Sequence, residues 1–378
     1  MLKAKADKPE DLSLYIHIPF CKTICLYCNF LTFAHKNKWI PDYVEAVCKE
    51  IASSSKKHNQ RIIKSIYFGG GTPSLIESKY IHKILQTISK HFKLQPSLEI
   101  SIECNPESVN VDKLKDYVKM GINRFSLGIQ SFNQETLRRI ARPHNRETIF
   151  KALEAIKEAK IKNFGADFIM GLPDQTLTSF KKEVSTILKY KPTHLSYYFL
   201  SYDTKKIDLF IKDCPNDEEQ IKYYEYLTRT LKRKGFKHYE VSNYALPGFE
   251  CLHNQRYWQQ KDYLGLGLGA HSIVDGQMWE NQKNFEAYLQ NPAKIENEME
   301  IDSDLKRMEY IMLSLRTIEG LDLAHYEQEF GHKQDNVQKL LLNADEYIKS
   351  KHLKKDHNSL KATEKGFLIL EKITHDLI

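Results

Sequence analysis

The chain has 378 residues, 41% of them hydrophobic, with 56 lysines and arginines against 49 acidic residues for a net charge of +7. Such a length can bury a large core and suggests two domains. The net positive charge would suit an anionic partner, but the basic runs are short and interspersed with polar residues, which argues against nucleic-acid binding. No apolar stretch could cross a bilayer, the N-terminus lacks a signal-peptide core, and the seven cysteines form no disulfide framework, so we expect a cytoplasmic protein.

Six strand-like segments alternate with amphipathic helical patterns between residues 13 and 200. Six strand–helix units favour a parallel sheet with its helices outside, and six units rather than eight predict an open, partial (β/α)6 barrel in an α/β fold. A doubly wound flat sheet has the same alternation and is the competing architecture. The predicted strands are 13–18, 64–69, 98–104, 123–129, 163–170 and 193–200.

Chemically distinctive segments follow these predicted strands one after another. Three cysteines follow the first strand, GGGTPS (69–74) the second, ECNPE (103–107) the third and GIQSF (128–132) the fourth. Asp167 and GLP (171–173) lie at the end of the fifth strand. Because both architectures bind ligands at the C-terminal ends of parallel strands, these segments predict a single site at one rim.

Residues 301–378 have a different pattern, of three helices, a hairpin around Asn358 and a final helix. That order resembles a winged-helix module, which binds DNA in some proteins and serves as a docking domain in others; without a basic recognition helix, docking is favoured. Before it, GLGLGA (265–270) lacks the spacing of a dinucleotide-binding loop and predicts a close-packed turn. We therefore predict a barrel domain over 1–240, a connecting segment over 241–300 and a mainly helical, winged-helix-like domain over 301–378.

Cys21, Cys25 and Cys28 form a Cys-x3-Cys-x2-Cys motif in the loop after the first predicted strand. Three thiolates in one loop suit an iron–sulfur cluster or zinc. Structural zinc usually has four ligands in two paired halves, and no second Cys-x2-Cys occurs here, although Cys251 and His253 could supply further ligands. The spacing favours an iron–sulfur cluster, and zinc is the alternative.

This motif, with the aromatic Tyr27 directly before its last cysteine, resembles the signature of the radical S-adenosylmethionine (SAM) superfamily. The resemblance implies a [4Fe–4S] cluster held by the three cysteines, with SAM bound to the fourth iron through its amino and carboxylate groups. Reductive cleavage of SAM would then yield a 5′-deoxyadenosyl radical. The superfamily also has a partial (β/α)6 barrel, in agreement with the six units of the pattern.

Further SAM-contacting positions are implied by the same resemblance. Gly70, Gly71 and Thr72 match the stretch whose backbone receives the amino group of SAM, where a residue without a Cβ allows close approach; a tight turn is the alternative. Glu103 matches the ribose-binding carboxylate. Gln130, Arg142 and Asp167 match further SAM-contacting positions; for these three and for Glu103 a helix cap or a surface ion pair is the alternative role. Tyr15 matches a residue that packs near the cluster, and Phe30 is counted with the cofactor-binding positions.

Three motifs are similar to one branch of the superfamily, the oxygen-independent coproporphyrinogen III dehydrogenases and their relatives. They are YxHIPFC, GGGTPS and GLPxQT, and the resemblance extends from residue 12 to the C-terminus. Two functions are then open. One is an enzyme that decarboxylates two propionates of coproporphyrinogen III, and the other is a haem chaperone that binds haem and delivers it to other proteins.

Three departures from the dehydrogenases favour the chaperone. Phe30 stands where they carry a fourth cysteine, and only 20 residues precede Cys21, where they carry an additional N-terminal segment. Residues 253–258 match the HNxxYW motif of the chaperones. Whether the chain uses radical chemistry stays open.

The HNxxYW motif supplies a candidate haem site. A neutral imidazole at His253 suits axial ligation of haem iron, and Tyr257 and Trp258 suit stacking on the macrocycle; a buried turn with His253 bonded to backbone is the alternative. Arg256 and Lys261 are among the cations available for haem propionates. The expected partners are haem and haem-accepting proteins, membrane-associated respiratory proteins among them, with no nucleic acid. Peripheral membrane contact and a homodimer are compatible with the sequence.

Overall fold

The computed structural model describes residues 11–200, 211–331 and 336–378. Its strands are β1 (Leu12–Ile18), β2 (Phe20–Cys21), β3 (Phe33–Ala34), β4 (Ile62–Gly70), β5 (Lys93–Cys104), β6 (Arg124–Gln130), β7 (Phe164–Met170), β8 (His194–Phe199), β9 (Lys237–Glu240), β10 (Asn243–Ala245), β11 (Tyr263–Leu266), β12 (His271–Val274), β13 (Gln277–Asn281), β14 (Ile295–Glu300), β15 (Leu321–Asp322), β16 (Leu353–Asp356) and β17 (Ser359–Ala362). Its helices are α1 (Ile40–His58), α2 (Ser78–His91), α3 (Val111–Lys119), α4 (Gln134–Arg139), α5 (Arg146–Glu158), α6 (Leu177–Leu188), α7 (Asp217–Arg233), α8 (Leu252–Trp258), α9 (Phe285–Gln290), α10 (Ser303–Ser314), α11 (Leu323–Phe330), α12 (Val337–Lys349), α13 (Glu364–Phe367) and α14 (Leu370–Leu377).

A twelve-stranded mixed sheet lies at the centre of the described part of the chain, in the order β14-β13-β12-β11-β1-β4-β5-β6-β7-β8-β10-β9. The six predicted strands, β1 and β4 to β8, pair in parallel and in chain order. A doubly wound sheet would reverse its strand order at a switch point. The unreversed order therefore excludes that alternative and confirms the predicted open barrel.

A seventh parallel strand, β11, lies beside β1 and was missed by the sequence pattern. Its Gly265 pairs with Tyr15 of β1, so the first part of GLGLGA is strand, and the prediction of a turn there was wrong. The backbone turns only afterwards, at Gly267 and Gly269, which both have positive φ. Antiparallel strands extend the sheet beyond β11 and beyond β8. Residues 241–300 thus contribute strands to both ends of the main sheet.

The barrel strands have an apolar outer face and a polar inner face. On β4, Ile66 and Phe68 belong to the main hydrophobic core, whereas Ser65 and Tyr67 alternate with them and face the interior. Burial of each large apolar side chain contributes about 2 kcal/mol, which holds the surrounding helices against the sheet. The inner face is consequently left for polar and aromatic groups that can contact a ligand.

The C-terminal residues form a second hydrophobic core of their own. Helices α10, α11 and α12, the small sheet β15-β17-β16, and helices α13 and α14 pack around a cluster that includes Ile311, Tyr326, Leu340 and Leu360. The β16–β17 hairpin reverses next to Asn358, as predicted, while the predicted last helix is divided into α13 and α14. This arrangement confirms a mainly helical C-terminal domain with a hairpin. None of the described helices combines the length and apolarity needed to cross a membrane.

Candidate cofactor and haem site

The carboxyl ends of the parallel strands surround a cavity of about 380 Å³. Its wall combines the cysteine loop with the ends of β4, β5, β6 and β7, so the rim segments come together as predicted. Tyr15 lies outside this wall, in an adjoining larger cavity. The predicted residues within the wall are Cys21, Cys25, Cys28, Phe30, Gly70, Gly71, Thr72, Glu103, Gln130, Arg142 and Asp167.

The three thiols of the loop are shielded from solvent to different extents. Burial raises the pKa of Cys21 to about 11 and also raises the pKa of Cys28. The Thr72 hydroxyl donates to Cys21 Sγ at 3.6 Å, and Cys25 is 7% exposed. Among the described residues, no three Cys, His, Asp or Glu side chains converge on a single metal ion. A cubane cluster instead takes one thiolate at each iron corner, and three thiols around one cavity fit that donor set.

Arg142 places a guanidinium against the cysteine loop. Its Nη1 donates to Cys25 Sγ at 3.4 Å and to the Tyr27 hydroxyl at 3.3 Å, and its Nη2 donates to Asn105 Oδ1 and the Gly128 carbonyl, both at 2.8 Å. Burial opposes the charge, but the negative neighbours outweigh it and raise the pKa of Arg142 above its usual range. The side chain stays charged and therefore stabilises negative charge on thiolates and on a cluster beside it.

The glycine turn after β4 leaves no room for side chains. Gly70 has a φ of +109°, and a Cβ there would lie 2.5 Å from the His17 ring. A Cβ on Gly71 would lie 2.8 Å from the carbonyl oxygen of Phe20 in β2. The Gly70 N–H donates to Glu103 Oε2 at 3.2 Å. Tight packing thus accounts for the glycines of this turn.

Two half-buried carboxyl groups face the same cavity, one near the end of β5 and one in the middle of β7. Glu103 accepts a hydrogen bond from the Tyr67 hydroxyl at 2.9 Å, and burial raises its pKa to about 7. Asp167 accepts one from the Ser126 hydroxyl at 2.7 Å, and burial raises its pKa as well. Between them, Gln130 has a φ of +68° at the end of β6, a conformation that costs backbone energy. The two carboxyl groups are neither helix caps nor surface ion pairs, and both can accept hydrogen bonds from hydroxyl or amino groups.

A second cavity, of about 1780 Å³, adjoins the first. Tyr15 lines it and lies 6.3 Å from Tyr67, ring centre to ring centre. Phe30 is 68% exposed where the two cavities meet. Aromatic walls of this kind suit a large flat ligand. The residues that belong to both walls are Phe30, Tyr67, Gly70, Glu103, Tyr198 and Asn254.

The HNxxYW motif forms α8 and lines the larger cavity, but both ring nitrogens of His253 are hydrogen-bonded. Nδ1 lies 2.8 Å from Ser65 Oγ, and Nε2 lies 2.7 Å from the Tyr257 hydroxyl. Ser65 donates its own proton to Ser13 at 3.0 Å, so Nδ1 carries the hydrogen and the Nε2 lone pair accepts from Tyr257. Burial lowers the pKa of His253 to about 3, which keeps the ring neutral. The arrangement is therefore close to the alternative of a buried histidine whose nitrogens are both hydrogen-bonded. Its partners are side chains, whereas the alternative had backbone groups.

The two neighbours of Tyr257 in the motif face different ways. Arg256 is 9% exposed, donates to the Asp11 carbonyl at 3.1 Å and also bonds to Ser13. It anchors α8 to the start of β1 and does not line the larger cavity, so it is not among the cations that border that cavity. Trp258 does line that cavity. The guanidinium of Arg316 lies 5.9 Å from the centre of its ring.

Several residues of the site were not singled out from the sequence. Tyr67, Tyr198 and Asn254 belong to both cavity walls, and Asn105 bonds to Arg142. The signal that could have found the two tyrosines is their period of two along otherwise apolar strands, which marks an inward face of a barrel. The two asparagines lie outside the strands, and their signal was the motif that contains each of them, ECNPE for Asn105 and HNxxYW for Asn254.

Two family models match the chain. The Radical SAM superfamily model matches residues 15–187, and the HemN C-terminal domain model matches residues 304–369. A solved structure with the same fold is that of coproporphyrinogen III oxidase (HemN) from Escherichia coli, described as a radical SAM enzyme. The two structures match with a TM-score of 0.86 over 98% of this chain and 90% of that chain. Their sequences are 24% identical, so the match is a likeness in fold. The chain therefore has the radical SAM fold, with a three-cysteine cavity at the rim of its barrel.

Relatives named heme chaperone HemW align with nearly the whole chain. Those from Buchnera aphidicola subsp. Schizaphis graminum and Escherichia coli K12 are each 32% identical over 97% of this chain and 98% of their own length. The one from Synechocystis sp. is 38% identical over 73% of this chain and 69% of its own length. The chain therefore belongs to the HemW family of radical SAM proteins. The resemblance drawn from the motifs is confirmed, and the superfamily's cofactors are a [4Fe–4S] cluster and SAM.

Proposed function

We propose that the chain is a haem chaperone, which binds haem in the larger cavity and delivers it to acceptor proteins. The observation that carries the proposal is this cavity of about 1780 Å³, because it lies directly against the cofactor cavity and is bordered by aromatic rings. Tyr15, Phe30, Tyr257 and Trp258 offer flat apolar faces of the kind that pack on a macrocycle. The relatives named HemW support the same function.

The smaller cavity is the proposed site of the cluster and SAM. Glu103 and Asp167 would accept hydrogen bonds from SAM, and when bound, the cluster supplies the electron for its reductive cleavage. Tyr67 connects the two cavities, because it stacks on His253 at 5.1 Å and donates to Glu103. Three irons of the cluster would be ligated by Cys21, Cys25 and Cys28.

His253 is the proposed axial ligand of haem, through Nε2 once the Tyr257 hydroxyl has moved away. Loss of that hydrogen bond costs about 1 kcal/mol net, an amount that an iron–imidazole bond offsets. Burial lowers the pKa of His253 to about 3, so the ring does not have to lose a proton before it binds iron at neutral pH. Tyr257 and Trp258 would then flank the macrocycle.

A haem titration of the anaerobically reconstituted holoprotein tests this assignment. We expect the wild type to bind haem, and His253→Ala to bind it about tenfold more weakly, the equivalent of one lost contact of about 1.4 kcal/mol. Iron content and iron–sulfur absorbance should stay unchanged. His82→Ala, at an exposed histidine of α2, is the control and should match the wild type. A wild type that binds no haem would refute the function, and unchanged affinity of His253→Ala would remove that residue from the site.

Turnover of coproporphyrinogen III separates the chaperone from an enzyme. HemN of Escherichia coli shares the fold, but Phe30 occupies the position at which the dehydrogenases carry a fourth cysteine. We expect no protoporphyrinogen IX from the reduced, reconstituted protein with SAM, while an authentic dehydrogenase forms it in the same assay. Product formation by this chain would make it an enzyme.

A cytoplasmic location, peripheral contact with the membrane and a homodimer complete the proposal. None of the seven cysteines, all of which lie in the described part of the chain, forms a disulfide, in keeping with a reducing compartment. Membrane-associated respiratory proteins are the proposed acceptors. Light scattering of the holoprotein measures the oligomeric state, and co-flotation with lipid vesicles measures the membrane contact.

A further inference from the structure

Arg316, which follows α10, borders the larger cavity without a close carboxylate partner. Its side chain is 26% exposed, and its nearest carboxylate in the described part of the chain, that of Glu371, lies 3.9 Å away and is 92% exposed. An ion pair with so exposed a partner contributes little. The guanidinium is therefore available to an anion that enters the cavity.

Trp258 places an aromatic face next to this guanidinium. Arg316 lies 5.9 Å from the centre of the indole ring, within the range of a cation–π contact. Such a contact helps to orient the guanidinium, whose planar fork of N–H groups can donate to both oxygens of one carboxylate.

The lysines at the wall of the same cavity are less suited to this task. Lys306 pairs with Glu329 at 3.2 Å, and Lys283 pairs with Glu280 at 2.7 Å. Lys261 is exposed, so its charge is well hydrated. Within the described ranges, Arg316 is the partly buried cation of this wall that has no carboxylate within hydrogen-bond distance.

Backbone contacts hold Arg316 at the boundary between the two hydrophobic cores. Its carbonyl accepts the Val241 N–H at 2.9 Å, and Glu240 forms an isolated antiparallel bridge with Thr317. The buried Glu240 carboxyl lies in the same wall, and burial raises its pKa to about 7. A partly neutral Glu240 repels an incoming carboxylate less than a fully ionised one would.

We infer that Arg316 anchors one propionate of bound haem, so that the C-terminal domain contributes directly to holding the cargo. The inference rests on the proposed function, with haem in the larger cavity. The carboxylate would accept two hydrogen bonds from the guanidinium fork, while the macrocycle lies against the aromatic wall. The anchor distinguishes a macrocycle with a free carboxylate from its ester.

Parallel titrations with haem and haem dimethyl ester test the anchor in the reconstituted full-length protein. We expect the wild type to bind haem about tenfold more tightly than the ester, because charged hydrogen bonds are lost with the carboxylates. Arg316→Gln should remove most of this preference. Arg316→Lys should keep part of it, since lysine supplies charge without the planar fork of donors.

Lys306→Gln is the matched control, since this lysine borders the same cavity but is already paired with Glu329; it should keep the full preference. Thermal unfolding and iron–sulfur absorbance verify that each variant is folded. The anchor is refuted if Arg316→Gln keeps the wild-type preference, if it weakens haem and ester by the same factor, or if the wild type binds both equally. A wild type that binds neither ligand would refute the proposed function itself, and the anchor with it.

Discussion

Glu50 is the buried carboxyl group whose titration most directly reports on the packing of the barrel edge. It lies on α1 and is 3% exposed. It accepts hydrogen bonds from the Asn281 amide at 2.6 Å, the Gly267 N–H at 2.9 Å and the Tyr288 hydroxyl. These bonds join α1 to the turn after β11, to β13 and to α9. Burial raises the pKa of Glu50 from 4.5 to about 7, although the three hydrogen bonds oppose the rise.

The sign of the pH effect follows from this raised pKa. The folded state binds the proton more tightly than the unfolded state, so Glu50 contributes stability that is fully present below pH 4.5 and is lost as the pH rises through 7. A rise from 4.5 to about 7 corresponds to about 3 kcal/mol of unfolding free energy. Glu50→Gln keeps the size of the side chain but cannot ionise, so it should lack this loss.

Urea unfolding between pH 4.5 and 8 measures the effect. The unfolding free energy of the wild type minus that of Glu50→Gln should fall by about 3 kcal/mol over this range. Hydrogen bonds altered by the amide add an offset that does not depend on pH and therefore leave the slope unchanged. Glu45→Gln, at an exposed carboxylate of the same helix, is the control and should follow the wild-type curve. Parallel curves for wild type and Glu50→Gln would refute the reasoning.

Two further predictions concern the cofactor cavity. Replacing any one of Cys21, Cys25 and Cys28 by Ala should reduce the iron content after reconstitution to near background, because a cluster corner loses its thiolate. The control Cys48→Ala, on α1, should reconstitute normally. Equal iron content in the motif variants and in the control would contradict the ligand assignment. Tyr67→Phe should weaken SAM binding about fivefold, because Glu103 loses its hydroxyl donor. Calorimetry of the reconstituted protein measures this affinity, with Tyr263→Phe in the larger cavity as control, and an unchanged dissociation constant would exclude the role of Tyr67.

Local patterns were sufficient for the six barrel strands and the rim segments that follow them. Apolar runs and amphipathic periods are properties of neighbouring residues, and parallel strands bring their carboxyl ends to one edge whatever the details of packing. The strand β11 was missed because its pairing with β1 joins Tyr15 to Gly265. Taken locally, Gly265 indicates a turn, and only the distant partner strand makes it part of a sheet.

The sequence by itself determined the class of this protein. Cys21, Cys25 and Cys28, the glycine turn and the HNxxYW motif identify their chemistry through residue type and spacing. Only the tertiary structure decided which of these groups are available to a ligand. His253 is bonded on both nitrogens and can bind iron only after the Tyr257 hydroxyl has moved away. Arg256 is turned toward β1, whereas Arg316, far along the chain, borders the larger cavity without a close carboxylate partner. Hydrogen-bond satisfaction and burial depend on contacts between distant segments, which no local pattern of residues contains.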